Sequence, residues 1–283
     1  MTVPAMRAAV VAIRAGLFDD VTDDVLAHED QAFGAAVRRR AGQPDSHLPW
    51  TRADVGGRAV LVVAGHAGAG ASTVALALAE GLAENRRVQL VDYSEPARSG
   101  LAAAPTIELG TDGAGWQCGR RGRLDVARLA RGPADGALPP LPEADADTTV
   151  VVDPGWSTTC ALLDSPRSLV DCALVVVTRV TIPAIRQTEQ VLAAVGGEAA
   201  VAALGPVRWP RLVEASCGPR LREARSKGQV VPVLVDRRLQ TAGLTGDRLP
   251  KPVAAAGRAL AALVAPAAPP RHRRRAARTG ATR

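Results

Sequence analysis

The feature that most constrains this chain is a glycine-rich turn between a short apolar run and a helical pattern. A strand is predicted at 58–64, where a continuous apolar run follows Arg58, as expected of a strand covered on both faces. The turn 65–73 follows, and apolar residues recur with helical spacing over 72–84. Such a turn lets backbone N–H groups converge on an anion at the positive end of the helix dipole. It predicts a phosphate-binding loop, although glycines also fill tight turns for packing reasons alone.

Similar apolar runs alternate with helical patterns further along the chain. Strands are predicted at 88–91, 149–152, 173–177, 199–204 and 230–235, and helices at 183–195, after Arg211 and at 253–264. This alternation is typical of an open α/β sheet with helices on both faces. We therefore predict a doubly wound, mostly parallel α/β fold over residues 57–265.

Three segments depart from the alternation. Residues 1–56 are predicted to form a helical N-terminal extension that ends before the main domain. Residues 96–147 are rich in Gly, Pro and Arg, show little periodicity and are expected to be irregular, as in an insert. Residues 266–283 begin with prolines and lack apolar periodicity, so they are predicted to be a disordered basic tail.

The net charge of the chain is concentrated in that tail. It carries six arginines and no acid, and without these six charges the formal net charge of +7 falls to +1. Such a cluster can contact phosphates of DNA or an anionic surface, or it can serve only as a solvated end. It lacks aromatic residues for base stacking and an apolar face for a membrane interface.

Composition restricts the class of protein. The hydrophobic content of 47% is in the globular range of roughly 45–50%. No apolar run approaches the ~20 residues that cross a bilayer, and Arg7 and Arg14 interrupt the first 18 residues, which makes a poor signal peptide. The four cysteines show no zinc-site spacing. We therefore expect a cytoplasmic protein with reduced thiols and no transmembrane segment.

Two phosphate-binding designs compete for the glycine turn. A dinucleotide fingerprint needs G-x-G-x-x-G and an acid about 20 residues further on, and Gly68, Gly70 and Thr73 come close to it, with Asp92 as the acid. A P-loop needs G-x-x-x-x-G-K-[ST], which the segment 65–72 matches at every fixed position except the lysine.

Two aspartates favour the P-loop. Asp92 ends one predicted strand and Asp153 ends another, and the carboxyl ends of parallel strands form the ligand-binding edge of such sheets. Either residue alone could be a turn or cap residue. Both together favour a magnesium and nucleotide site beside the loop.

At this point the chain resembles the MinD/ParA family of deviant Walker A ATPases. The family loop K-G-G-x-G-K-[ST]-[ST] falls on residues 66–73, its Walker B strand on 150–153 and its late I-P-x-D strand on 231–238. The resemblance implies a P-loop NTPase-like fold, ATP or ADP with Mg²⁺ as ligands, and nucleotide sandwiched in a dimer. It implies that Asp92 positions the attacking water and that Ser72 and Asp153 hold the magnesium. The nucleotide-binding residues it implies are Gly65, His66, Ala67, Gly68, Ala69, Gly70, Ala71, Ser72 and Thr73.

The chain departs from the family at both lysines of the loop. His66 replaces the signature lysine and Ala71 the phosphate-binding lysine. Because phosphoryl transfer depends on positioned cations, such a loop is expected to hydrolyse nucleotide slowly. The family's base-contacting asparagine has no counterpart in 204–209, which puts adenine recognition in doubt.

Three hypotheses follow for function. The first is a degenerate MinD/ParA-like protein, a homodimer or a heterodimer with an active paralogue, that acts in localisation or assembly with a partner from a plasmid-partition, conjugation or secretion system. The second is an active ATPase whose cation comes from Arg120, Arg121 or Arg123. The third is a Rossmann-type NAD(P)-binding oxidoreductase, for which no Tyr-x-x-x-Lys or His–carboxylate constellation is visible.

Overall fold

A computed structural model describes residues 59–131, 138–145, 147–164, 172–196 and 198–264. The N-terminal extension expected at 1–56 and the basic tail expected at 266–283 lie outside these residues. In this part of the chain no helix is long and apolar enough to cross a bilayer.

The strands and helices are numbered in chain order. The strands are β1 (Ala59–Ala64), β2 (Val88–Asp92), β3 (Ile107–Thr111), β4 (Trp116–Arg121), β5 (Leu124–Leu129), β6 (Thr149–Asp153), β7 (Ala173–Arg179), β8 (Ala199–Leu204) and β9 (Val230–Val233). The helices are α1 (Ala71–Ala83), α2 (Gly155–Asp164), α3 (Ile182–Val195), α4 (Arg211–Ala215), α5 (Pro219–Ser226), α6 (Arg237–Ala242) and α7 (Lys251–Val264), with a short 3-10 helix at Pro96–Arg98.

The described strands form one sheet in the order β3-β4-β5-β2-β6-β1-β7-β8-β9. Seven of them, from β5 to β9 in this order, are parallel, and only the β3-β4-β5 meander at one edge is antiparallel. The predicted doubly wound, mostly parallel α/β sheet is therefore confirmed. Each of the strands predicted outside 96–147 is present. All residues of β1 and β6 are buried, as expected of runs covered on both faces of the sheet, whereas Pro232 in the edge strand β9 is exposed.

The segment 96–147 was expected to be irregular, and this expectation was wrong: it contains β3, β4 and β5. Two features explain why hydrophobic periodicity does not indicate these strands. All of β3 is exposed, and Arg121 and Arg128 are buried at positions where a hydrophobic pattern needs apolar residues. Gly110 and Gly122, both with positive φ, supply the irregular register of β3 and the tight β4–β5 turn.

Helices cover both faces of the sheet. The buried side chains of α1 and α7 pack on one face, and those of α2, α3, α4 and α5 pack on the other. Helices α1 and α7 approach closely through glycine: a Cβ on Gly257 would lie 2.0 Å from the Ala77 carbonyl oxygen, and one on Gly81 would lie 2.8 Å from the Gly257 carbonyl carbon.

The parallel register defines the edge where a site can form. The carboxyl ends of β1, β2, β6, β7, β8 and β9 meet at one edge of the sheet. Strand β1 lies between β6 and β7, and the glycine turn leaves it at this edge. A crevice at such a point is where open α/β sheets bind ligands.

Candidate functional site

The turn after β1 has the backbone of an anion-binding loop. The Gly65 amide donates to the Val177 carbonyl at 2.7 Å and the Ala69 amide to the His66 carbonyl at 3.2 Å. Gly68 and Gly70 have φ values of 72° and 97°, in the left-handed region that favours glycine. The turn therefore connects β1 to α1 through two glycines in a conformation that other residues rarely adopt.

The space around each glycine of the loop shows whether a neighbouring group prevents a larger side chain at that position. A Cβ on Gly65 would lie 2.3 Å from Thr188 Oγ1, and one on Gly70 would lie 2.6 Å from Leu204 Cδ2. A Cβ on Gly68 would meet nothing within 4 Å. Gly65 is thus required by close neighbours and Gly70 by its backbone conformation, whereas the space over Gly68 is open.

The N-terminus of α1 is free to bind an anion. The helix begins at Ala71 after Gly70, and no described side chain caps it. The first amides of a helix have no acceptor within the helix, and they lie at the positive end of its dipole. The residues of this loop therefore fit a phosphate group, which would be held by backbone donors.

The two predicted carboxylates lie next to each other. Asp92 ends β2 and Asp153 ends β6, and the two are register partners in neighbouring parallel strands. Their exposed fractions are 0% and 1%. The Ser94 amide donates to Asp92 Oδ1 at 2.8 Å, and the Gly155 amide donates to Asp153 Oδ1 at 3.0 Å.

One oxygen of this pair lacks a partner. Asp153 Oδ2 is buried and accepts no hydrogen bond of normal geometry from the described residues. Burial and the neighbouring Asp92 raise the pKa of Asp153 to about 7, although the Ser72 hydroxyl and the Gly155 amide oppose the rise. Burial also raises the pKa of Asp92. A buried, unsatisfied carboxylate oxygen beside a loop serine fits the binding of a cation such as Mg²⁺.

A segment that follows β2 covers this pair. The Ser99 hydroxyl donates to Asp92 Oδ2 and accepts from the Leu101 amide at 3.1 Å. The Gly100 backbone packs against Ser72, since a Cβ on Gly100 would lie 3.0 Å from Ser72 Oγ. Leu101 is fully buried. The cover formed by Ser99–Leu101 therefore touches both the loop serine and the predicted water-positioning aspartate.

The arginines that the second hypothesis named do not lie at the site. Leu124 pairs with Val88 at the amino end of β2, so Arg120, Arg121 and Arg123 lie at the opposite edge of the sheet from Asp92. Arg121 is buried there, and its guanidinium donates to Glu80 and to three carbonyl oxygens. Within the chain, none of the three arginines therefore lies beside Asp92, so the structure does not support the second hypothesis through these residues.

Two other arginines lie at the edge that carries the loop. Arg128 is the register partner of Asp92, and it forms an ion pair with Glu108. Arg179 ends β7, and its Nε donates to the Gly68 carbonyl at 3.1 Å. Neither residue was predicted from the sequence, although an arginine at the last position of an apolar strand is a signal that could have identified Arg179.

The remaining sequence-predicted positions are less informative. His66 Nδ1 lies 2.8 Å from the Ala67 carbonyl oxygen, so this ring bonds within its own turn. Trp209 is buried in the core, and the Arg225 guanidinium lies 4.5 Å from its ring centroid. Because that ring is already covered, it does not offer a stacking face for a base where the family's asparagine is absent. The described residues contain no cluster of three or more His, Cys, Asp or Glu that could hold a metal ion.

Solved structures that match this chain include cell-division and partition ATPases. Among them is the cell-division ATPase MinD from Pyrococcus furiosus, with 19% identity and a TM-score of 0.47 over 72% of this chain and 97% of that one. The match with a ParA family ATPase from Chlorobium tepidum TLS has 15% identity and a TM-score of 0.44 over 72% and 98% of the two chains. These neighbours are MinD and ParA ATPases.

A third neighbour comes from the MinC:MinD cell-division complex of Aquifex aeolicus, with 13% identity and a TM-score of 0.45 over 72% of this chain and 95% of that one. Neither a protein-family profile nor the sequence of a curated protein matches the chain. The chain is similar to these MinD and ParA structures over 72% of its length. Its own strand order is that of an open, mostly parallel α/β sheet with a glycine turn after β1.

Proposed function

We propose that this protein is a degenerate MinD/ParA-like nucleotide-binding protein that binds ATP or ADP with Mg²⁺ and hydrolyses ATP slowly or not at all. The observation that carries the proposal is the loop itself. The uncapped start of α1 and the adjacent Asp92 and Asp153 support the binding of nucleotide and magnesium, yet alanine stands at position 71, where the P-loop pattern has lysine.

The residues of the site have separate roles in this proposal. The backbone amides at the start of α1 would hold the phosphates. The Ser72 hydroxyl and Asp153 would take part in holding the magnesium, which supplies charge neutralisation at the phosphates when bound. Asp92 would position a water molecule. Without a lysine at position 71, developing charge on the transferred phosphoryl group is poorly stabilised, and several kcal/mol of catalysis is missing.

We further propose that the protein works by association rather than by turnover. A nucleotide-dependent contact with a second copy, or with an active paralogue, would place it in a plasmid-partition, conjugation or secretion assembly. MinD was solved in a complex with MinC, which gives a precedent for a protein partner in a structural neighbour.

Calorimetric titration of the purified protein tests the proposal. We expect saturable binding of ADP and ATP in the presence of Mg²⁺, weaker binding in EDTA, and no heat with NAD. Gly68→Ala is the matched loop variant: the added methyl meets no neighbour, but φ of 72° strains any other residue, so the variant should bind more weakly. Binding of NAD without binding of ATP or ADP would contradict the proposal and favour a dinucleotide-binding protein.

A further inference from the structure

Arg179 lies next to the glycine turn, so its positive charge is close to the loop. It is the last residue of β7, which pairs with β1 directly before the glycine turn. Its side chain is exposed at the edge of the sheet that carries the loop. Its Nε donates to the carbonyl of Gly68, the residue over which the structure leaves open space.

The charge of Arg179 is not neutralised by the described residues. No carboxylate in this part of the chain forms an ion pair with it. By contrast, Arg128 at the same edge is bound by Glu108 and also donates to the Ala102 carbonyl. A guanidinium has five N–H donors, and the contact with Gly68 uses one of them, so the others remain to bind an anion.

We propose that Arg179 contacts the phosphates of the bound nucleotide from the neighbouring strand and contributes to binding, without replacing the catalytic lysine that is absent at position 71. This inference rests on the proposed nucleotide binding. The contact with Gly68 holds the guanidinium at the loop before ligand arrives, and a guanidinium binds phosphate oxygens with paired, charge-assisted hydrogen bonds. Arg179 is therefore a phosphate-binding residue, and it strengthens binding of the charged half of the nucleotide.

The test compares Arg179→Ala and Arg179→Lys with Arg123→Ala. Arg123 is an exposed arginine in the β4–β5 turn at the opposite edge of the sheet, so its variant makes the same change in net charge away from the loop. Affinities for ADP–Mg²⁺ and for pyrophosphate are measured by calorimetry at two salt concentrations, and circular dichroism confirms that each variant is folded.

Arg179→Ala is expected to weaken both ADP–Mg²⁺ and pyrophosphate about 10- to 100-fold, the size of a lost charged hydrogen bond. Arg179→Lys should recover part of this loss as a point charge, and Arg123→Ala should change affinity less than about twofold. The salt dependence of binding should be shallower in Arg179→Ala than in the wild type.

Each other outcome has a separate meaning. If the wild type binds and Arg179→Ala binds equally well, or if Arg179→Ala and Arg123→Ala weaken binding alike, the inference is overturned while the proposed function stands. If the wild type binds neither ADP nor pyrophosphate, the proposed function fails, and the inference fails with it. If Arg179→Ala does not fold, Arg179→Gln takes its place, and the loss of affinity expected for Arg179→Ala is then expected for Arg179→Gln.

Discussion

Asp92 and Asp153 lie side by side at the carboxyl ends of β2 and β6, both fully buried. Two neighbouring carboxyl groups in a site of low polarity cannot both ionise easily. The pKa of Asp153 is raised to about 7 by burial and then by the charge of Asp92. In the absence of a bound cation, one proton is thus retained at this pair up to neutral pH.

Because the folded protein retains this proton, we predict that its stability depends on pH. The pKa of Asp153 is near 3.8 in the unfolded chain and about 7 in the folded protein. Because the folded state holds the proton more tightly, this group contributes most stability below about pH 4, and the contribution falls as the pH rises to about 7. Asp153→Asn should therefore stabilise the protein free of metal and nucleotide more at pH 8 than at pH 5, by a difference on the order of 1 kcal/mol or more.

Urea unfolding at the two pH values measures this difference. Asp125→Asn, which removes the same charge from an exposed ion pair with Arg120, should show no such difference. Equal effects of Asp153→Asn at pH 5 and pH 8 would contradict the shared proton.

The cover over the pair predicts a role for Ser99. Its hydroxyl donates to Asp92 Oδ2 and lowers the pKa of that carboxyl against the effect of burial. Ser99→Ala leaves the buried oxygen without this donor, so we expect a loss of about 2 kcal/mol in the free energy of unfolding at pH 8. Ser226→Ala, which removes an exposed hydroxyl bonded to the Glu223 carbonyl, serves as the control and should cost under about 0.5 kcal/mol. Equal effects of the two substitutions would show that Ser99 does not support Asp92.

Arg121 is predicted to be structural. It is buried, forms an ion pair with Glu80 and donates to the carbonyls of Ala104 and Thr245 at 2.8 and 2.6 Å. Arg121→Ala should lower the free energy of unfolding by about 3–5 kcal/mol, because it leaves Glu80 and these carbonyls without their partner. Arg120→Ala breaks only an exposed ion pair and should cost about 1 kcal/mol or less. Thermal unfolding of the two variants measures both losses of stability. A larger loss for Arg120→Ala than for Arg121→Ala would be inconsistent with the structure.

The contact of α1 with α7 predicts a large effect of a small change. Gly257→Ala raises helix propensity by about 1 kcal/mol but places a methyl group 2.0 Å from the Ala77 carbonyl oxygen. We expect the overpacking to outweigh the gain in helix propensity and to destabilise the protein by about 1–3 kcal/mol in denaturant unfolding. Gly113→Ala, at a position with open space and no positive φ, should be close to neutral. Stabilisation by Gly257→Ala would contradict the close helix contact.

Sequence alone predicted most of the parallel sheet but not its antiparallel edge. The valine-rich runs that became β1, β6 and β7 are covered on both faces, and a continuous apolar run signals this directly. The β3-β4-β5 meander gives no such signal. Its buried arginines are satisfied by partners distant in sequence, as Arg121 is by the Asp247 carbonyl, and periodicity does not report such partners.

The residues of the candidate site likewise fall into those that the sequence predicts and those that only the structure reveals. The glycine loop, Asp92 and Asp153 follow from where glycines and acids stand relative to strand ends. The contributions of Ser99 and Arg179 depend on how separate segments approach one another: Arg179 reaches Gly68 across 111 positions of sequence. The absence of a lysine in the loop can be read from the sequence, whereas the contact of Arg179 with the Gly68 carbonyl is seen only in the structure.

Steady-state ATP turnover tests the central claim most directly. Under conditions where calorimetry shows Mg²⁺-dependent nucleotide binding, we predict no phosphate release above that of the Asp92→Ala variant, and a clear gain in turnover for Ala71→Lys, which restores the loop cation. Sustained turnover by the wild type that Asp92→Ala abolishes and Ala71→Lys leaves unchanged would contradict the account, because the site would then be a working ATPase with its cation already in place.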